Sequence, residues 1–398
     1  MSSKSTVTRR YDLDWLRVLV ILVVFVFHSG RFFDEGGWHV KNPVHYAGVQ
    51  IWTEFLASWM MPLIFVISGA SLFYALDKGS AGKFIKDKVL RLLVPLIVGV
   101  FTHISLQVYL ERLTQRQFSG SYFEFLPHYF EGLYAFGGNF AWMGLHLWYL
   151  MVLFLFSLIF LPLFYLLKGA GRGVLNGLAG FLARPGLVYL LALPVSLALA
   201  LLDPAGQPGS REWGGWMLVP YIPFFLSGFV IVAGDRLQAS IRRLRWVSLL
   251  LGVALLAALV YLRSGSDPHF GTPRYTLVFG LFGLHSWCWI LAILGFGMKH
   301  LTFSTPFLKY AGEAVLPFYI LHQTVLLGLG YLVVQWAIPD LLKFGVIAVS
   351  SLALIMVLYE FLVRRNNVMR FLFGMKPLRP TPRPVIQTAL PPMAEPGH

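Results

Sequence analysis

The chain has 398 residues, 57% of them hydrophobic and only 13% charged, with a mean hydropathy of +0.69. Soluble domains carry roughly 25% charged residues, so the composition excludes an ordinary soluble globule and points to an all-α polytopic membrane protein. A net charge of +14 would suit a nucleic-acid binder, but the basic residues lie between apolar runs, where membrane topology accounts for them, and nucleic acid is not an expected partner.

Apolar runs predict ten transmembrane helices, at about 13–33, 46–76, 90–110, 145–167, 186–202, 216–234, 246–263, 274–298, 307–333 and 343–363. The first run, DLDWLRVLVILVVFVFHSG from Asp12 to Gly30, is long for a signal peptide, contains Arg17 and lacks a small-residue cleavage pattern, so it reads as a retained span. Arg17 and His28 are eleven residues apart. At 100° per residue they return to within about 20° of one face, about 16 Å apart along the axis. Arg17 alone is explained by snorkelling to an interface. Two ionisable groups on one face of a span instead mark a site or a pathway.

Further along, FIKDKVLRLLVPL gathers Lys83, Lys86, Lys88 and Arg91 at the start of the third span. Ordinary interfacial anchoring suffices for Lys83 and Lys86. Lys88 and Arg91 are neighbours at i,i+3 and close to the apolar run, a pair suited to phosphate. His103 lies in the same span, and the connection 111–144, rich in aromatics and glycine, reads as a re-entrant or interfacial segment. His146 begins the fourth span, the fifth is short and contains Pro194, His285 sits mid-way along the eighth, and His322 in the outer half of the ninth. One membrane histidine is usually a packing residue. Several at similar depth predict a polar chamber towards the outer leaflet. Among the acids, Glu54, Glu313 and Glu360 stand out, and Glu360 is expected at the level of Arg17, paired with it. Past Arg370 the proline density predicts a disordered cytoplasmic tail, 371–398, after a transmembrane domain spanning 1–370. The single cysteine, Cys288, can form no intrachain disulfide. The chain has no internal repeat, no glycine-rich phosphate loop and no HExxH or CxxC spacing, so no metal is expected. With the N-terminus inside, 23 Lys and Arg fall in inner segments and 8 in outer ones, which predicts that both termini are cytoplasmic.

Several segments together resemble membrane acyltransferase family 3. Arg17 and His28 match its Arg-x10-His motif. MPLIFVISGASLF is similar to its FFVLSG segment, and KDKVLRLLVP to its RxxRLxxP segment, with Lys88 in place of the first arginine. LHLWYL and AGEAVLPFYILHQ resemble its HLWFL and ninth-helix motifs. WHVKNP, YIPFFLSG and LYEFLVRRNNVMRFLFGMKP are similar to a branch that succinylates periplasmic glucan. The likeness runs from Arg10 to Pro377. It implies an O-acyltransferase of the bacterial inner membrane that moves an acyl group from a cytoplasmic acyl-CoA donor, succinyl-CoA or acetyl-CoA, to a glycan hydroxyl on the periplasmic side. On that reading His28 is the general base, with His322 and His146 supporting the acceptor, while Arg17, Lys88 and Arg91 hold the donor. Direct transfer and transfer through an acyl-histidine both remain open. Membrane lipid, the periplasmic glycan, and a second copy or other glucan-synthesis proteins are the expected partners. The nearest alternative acetylates another surface glycan or a lipid. A glycan or lipid transporter is the alternative from another class, opposed by the lack of repeats and of paired broken spans.

The ten-span arrangement is checked by cysteine-accessibility labelling at Gly120 and at Thr388: the first should label from outside and the second from inside, and labelling from one side at both positions would sink it.

Overall fold

The computed structural model of the protein describes residues 9–205, 218–265 and 268–378. Among them the regular structure is helical, apart from one isolated bridge between Leu133 and Phe140. Helices α1 (Tyr11–Gly30) and α2 (Ala47–Ala75) are uninterrupted. Helix α3 (Ala81–Lys88) is capped by Ser80 and passes through a π-helical turn, Val89–Leu93, into α4 (Val94–Phe101). There the helix breaks. The Thr102 hydroxyl donates to the Val98 carbonyl and the Ser105 hydroxyl to the Thr102 carbonyl, both at 2.6 Å. Such bonds compete with the helical ladder, and α5 (Ile104–Thr114) leaves at 42°. Helix α6 (Tyr122–His128) is fixed by a Ser121–Glu124 capping box.

Helices α7 (Trp148–Ile159) and α8 (Leu161–Lys168) form one apolar run bent by 50° near Pro162, which has no N–H to give the ladder. Helix α9 (Arg172–Leu182) and the run ending in α10 (Leu193–Leu201) turn by 116°. Pro194 falls in the first turn of α10, where a missing N–H costs nothing. Helices α11 (Tyr221–Ala233) and α12 (Asp235–Arg263) follow. Helices α13 (Pro273–His300) and α14 (Pro306–Val333) both open on a Thr-Pro pair, with Thr272 and Thr305 as side-chain caps. Helix α15 (Asp340–Val357) continues through a π-helical turn, Leu358–Val363, and α16 (Asn367–Leu372) closes the described chain.

Among the described residues six helices are long and apolar enough to cross a membrane, and nine if each bent pair is one span. Against the ten expected, the shortfall is α11: its 13 residues are fewer than the roughly 20 that cross a bilayer. The charged residues nevertheless sort in space as they do in sequence. At the end where α1 begins, called here the near end, Arg10 donates to Asp12 (2.7 and 2.8 Å), to Tyr74 (3.1 Å) closing α2, and to Gln238 (2.7 Å) opening α12. Lys168 reaches Asp77 (2.5 Å), and Arg370 reaches Glu313 (2.7 Å). At the far end Asp34, fully buried, takes Arg31 (2.5 Å) and Lys41 (2.7 Å). Arg263 bonds Glu54 (2.7 Å), and Lys343 bonds Asn42 (3.1 Å). The expected tail is described as far as Leu378, whose N–H donates to Asn367 (2.8 Å), and Phe373 is buried. The remainder of that tail, 379–398, lies outside the described residues, as do Lys4 and Arg211 of the charge partition.

The tightest helix crossing joins α2 to α11. A β-carbon on Gly69 would stand 1.9 Å from the Phe225 carbonyl oxygen, and one on Gly228 1.9 Å from that of Val66. Each glycine therefore receives the other helix's backbone. In lipid, where apolar side chains gain nothing by leaving the solvent, such close backbone packing holds helices together. Gly228→Ala should push the pair apart at a cost of about 1–3 kcal/mol, seen as a lower unfolding temperature in detergent. Gly177→Ala, with nothing within 4 Å of its β-carbon, is the control and should not destabilise. Equal unfolding temperatures for the two variants would contradict the packing account.

Candidate active site

Two helices, one strained turn and one helix break bring histidines together. His28 lies in the last turn of α1, His322 in α14, and His146 in the turn Leu145–Leu147 that precedes α7 rather than in the helix itself. That turn is entered through Gly144 at φ 75° and Leu145 at φ 48°. A left-handed leucine costs roughly 1–3 kcal/mol and persists only where surrounding packing imposes it. The ring of His322 is 5.0 Å from that of His28 and 4.9 Å from that of His146. His103, at the break before α5, stands 6.3 Å from His146. The three histidines expected to act together are thus neighbours, and His103 joins them.

Their hydrogen-bond partners assign the tautomers. Carbonyl oxygens only accept. His322 Nδ1 lies 2.6 Å from the Tyr319 carbonyl, so it carries the proton and Nε2 is bare. His28 Nδ1 lies 2.9 Å from the Val24 carbonyl and 3.2 Å from that bare His322 Nε2, so it donates to both. His28 Nε2 is then an unprotonated lone pair, with no hydrogen bond among the described residues. His146 Nε2 donates to the Ile320 carbonyl (3.0 Å) while Nδ1 accepts from Gln107 (3.3 Å). Gln107 also donates to Thr324 (2.5 Å) and accepts from Gln323 (3.0 Å), and the Thr324 hydroxyl donates to His103 Nδ1 (2.7 Å). The Tyr319 hydroxyl caps the His146 carbonyl. Gln107, Thr324, Gln323 and Tyr319 are absent from the expected site. Gln107 was within reach, four residues after His103 and so on the same helical face.

His285, also a candidate from its depth, goes elsewhere: it bonds Ser58 (3.2 Å) and the Gly252 carbonyl (3.1 Å), a satisfied packing histidine. Over His28 lies Trp38, its ring stacked at 6.0 Å, and the neighbouring His39 binds Glu111. Glu111 in turn takes the Tyr134 hydroxyl (2.7 Å) and Arg112 (3.2 Å).

Arg17 faces the near end. Its guanidinium donates to Ser71 (2.6 Å), with Asp14 at 3.5 Å. Lys88 and Arg91 stand within electrostatic range of it and of the neighbouring Asp87. Lys88 lies over the Phe84 ring at 5.2 Å, and neither it nor Arg91 has an ion-pair partner among the described residues. The three cations are therefore under-neutralised. The expected Arg17–Glu360 pair does not form. Glu360 lies in the π-helical turn after α15 and is taken by Arg364 (2.9 and 3.0 Å), Arg365 (3.2 Å) and Tyr310 (3.2 Å). Its own helix supplies arginines at i+4 and i+5, closer than anything on α1. From Arg17 towards the histidines runs a polar row: Ser71, then Ser68 bonded to the Tyr149 hydroxyl (2.7 Å), then Tyr319, its ring 5.8 Å from that of Tyr149.

The bare imidazole nitrogen of His28 thus lies towards one end of α1, and the cluster of Arg17, Lys88 and Arg91 towards the other. The chain belongs to acyltransferase family 3: the acyltransferase domain of that family matches residues 10–360, and the protein is a multi-pass membrane acyltransferase. Within it, the chain is similar to glucans biosynthesis protein C of Salmonella paratyphi A (strain ATCC 9150 / SARB42), Salmonella agona (strain SL483) and Salmonella heidelberg (strain SL476). Each is 24% identical over 384 residues, covering 93% of this chain and 95% of the relative. No solved structure matches the chain.

Proposed function

We propose that the protein is an O-acyltransferase of the bacterial inner membrane that moves an acyl group, succinyl in preference to acetyl, from cytoplasmic acyl-CoA to hydroxyls of a periplasmic glucan. The observation that carries the reading is the His28 Nε2 lone pair, left bare while Nδ1–H is committed to Val24 and His322. Likeness to the glucan-biosynthesis relatives supports the acceptor, and the charge partition supports the near end as cytoplasmic.

His28 Nε2 takes the proton of the acceptor hydroxyl as that oxygen forms its bond to the thioester carbonyl carbon. The tetrahedral intermediate collapses with cleavage of the C–S bond, and the His28 imidazolium returns that proton from Nε2 to the CoA sulfur as it leaves, which restores the neutral base. The imidazolium formed at His28 is stabilised through its Nδ1–H, which strengthens its bonds to the Val24 carbonyl and to His322 Nε2. His322 is therefore a positioning residue, and His146, packed edge-on against it, fixes its ring. Arg17, Lys88 and Arg91 receive the donor's phosphates. The roughly 16 Å from Arg17 to His28 along α1 is a span for a pantetheine arm, along the row of Ser71, Ser68, Tyr149 and Tyr319. No metal enters this scheme.

His28→Gln keeps a hydrogen-bonding side chain but cannot accept the proton. Transfer of acyl groups to glucan, followed by glycan mass spectrometry, should fall by about 10²–10⁴-fold with CoA binding intact. Because the base must be neutral, wild-type turnover should decline as pH falls through the titration of His28. Wild-type turnover in well-folded His28→Gln returns the chemistry to His322 or His146. Arg17→Lys keeps the charge and loses the planar fork. Calorimetry should show weaker CoA binding with glucan binding preserved, and unchanged CoA affinity removes Arg17 from the donor site.

A further inference from the structure

The far end holds a second feature that the transfer chemistry does not use. Between the end of α5 and the loop after α6 lies a cleft of about 380 Å³, within the range of small-molecule sites. It is lined by Arg112, Gln117, Phe118, His128, Glu131 and Asn139. Its walls are fixed by their own hydrogen bonds. Arg112 donates to Asn139 (2.9 Å), Gln117 (2.8 Å) and the Gly138 carbonyl (2.7 Å), and Asn139 donates to the His128 carbonyl (3.0 Å). His128 Nδ1 meets Glu131 at 2.9 Å. Phe118 is wedged edge-on against Phe125 and Tyr109 at 5.2 and 6.2 Å.

These bonds leave one Glu131 carboxylate oxygen, the Gln117 amide nitrogen and His128 Nε2 without a hydrogen bond among the described residues. Planar polar side chains presenting free acceptors and donors beside an aromatic ring suit a neutral polyhydroxylated ring. Vicinal hydroxyls donate to the carboxylate and accept from the amide, while the C–H face packs on phenylalanine. A phosphate would meet Glu131, and an apolar chain would leave these groups unpaired.

The cleft is joined to the reacting histidine. Arg112 bonds Glu111, Glu111 bonds His39, and the adjoining Trp38 stacks on His28. We propose that this cleft is an acceptor subsite that grips one sugar unit of a glucan while another unit of the same chain presents its hydroxyl to His28. The inference rests on the glucan-acylating reading and adds the place where the polymer is held.

The test uses full-length protein in nanodiscs with a linear glucose hexasaccharide as probe, its binding read by calorimetry and saturation-transfer NMR. Glu131, with 66% of its side chain exposed, can be changed without disturbing the fold. Glu131→Ala should weaken binding at least tenfold and Gln117→Ala several-fold. The KM for the hexasaccharide should rise in step while the KM for acyl-CoA stays fixed. A fully O-methylated hexasaccharide, which cannot donate, should bind wild type no better than the plain sugar binds Glu131→Ala. Wild-type affinity in both variants, or no binding by wild type, overturns the proposal. Glu131-dependent binding without any acyl transfer upholds the subsite and removes the acceptor from the function proposed above. Transfer to the hexasaccharide with a KM indifferent to both substitutions does the reverse.

Discussion

An imidazole N–H enclosed by apolar helices has no water to turn to, and an unpaired one costs on the order of 1–3 kcal/mol. The three clustered histidines meet that constraint on main-chain carbonyls: His28 on Val24, His322 on Tyr319 and His146 on Ile320. Two of the acceptors are consecutive residues of α14. Because a carbonyl can only accept, each bond decides which ring nitrogen is protonated, and so which nitrogen is left to do chemistry. The orientation of the candidate base is in this sense a by-product of satisfying buried donors. The same demand explains the amide–hydroxyl network of Gln107, Gln323 and Thr324 behind the cluster.

The scaffold keeps these groups in place with few devices. Backbone-to-backbone seating of Gly69 and Gly228 locks α2 to α11, while Arg10 pins α1 to α2 and α12 at the near end. Around the far end, the buried Asp34 carboxylate holds Arg31 and Lys41 and also accepts from Thr53 (3.1 Å). That knot anchors the loop carrying Trp38 over His28. The breaks in the helices serve the site as well: the one at Thr102 turns His103 and Gln107 towards His146, and the strained turn at Leu145 presents His146 itself. Strain of this kind concentrates where function needs a side chain that regular structure would point elsewhere.

Much of this was legible in the chain. Hydropathy alone located the long apolar helices, because the bilayer penalises charge in its core whatever the tertiary packing, although the run expected as the sixth span holds a helix of only 13 residues. Helical periodicity put Arg17 and His28 on one face of α1, since 100° per residue is a local property of the backbone. The histidines in spans could be nominated individually for the same reason.

Whether those histidines met was not a local matter. His28 and His322 are separated by 294 residues, and only the packing of α1 against α14 made them partners while sending His285 to Ser58. Glu360 shows the reverse error: equal depth in the membrane suggested a pair with Arg17, yet a carboxylate bonds the nearest cation in three dimensions, and Arg364 was one helical turn away. The tautomers and the Gln107 network depend likewise on distances of about 3 Å between segments far apart in sequence. Sequence determined an all-helical membrane acyltransferase with an ionisable first span. Tertiary structure alone decided which nitrogen of which histidine is free, because hydrogen bonds are set by ångström-scale geometry that hydropathy and periodicity do not encode.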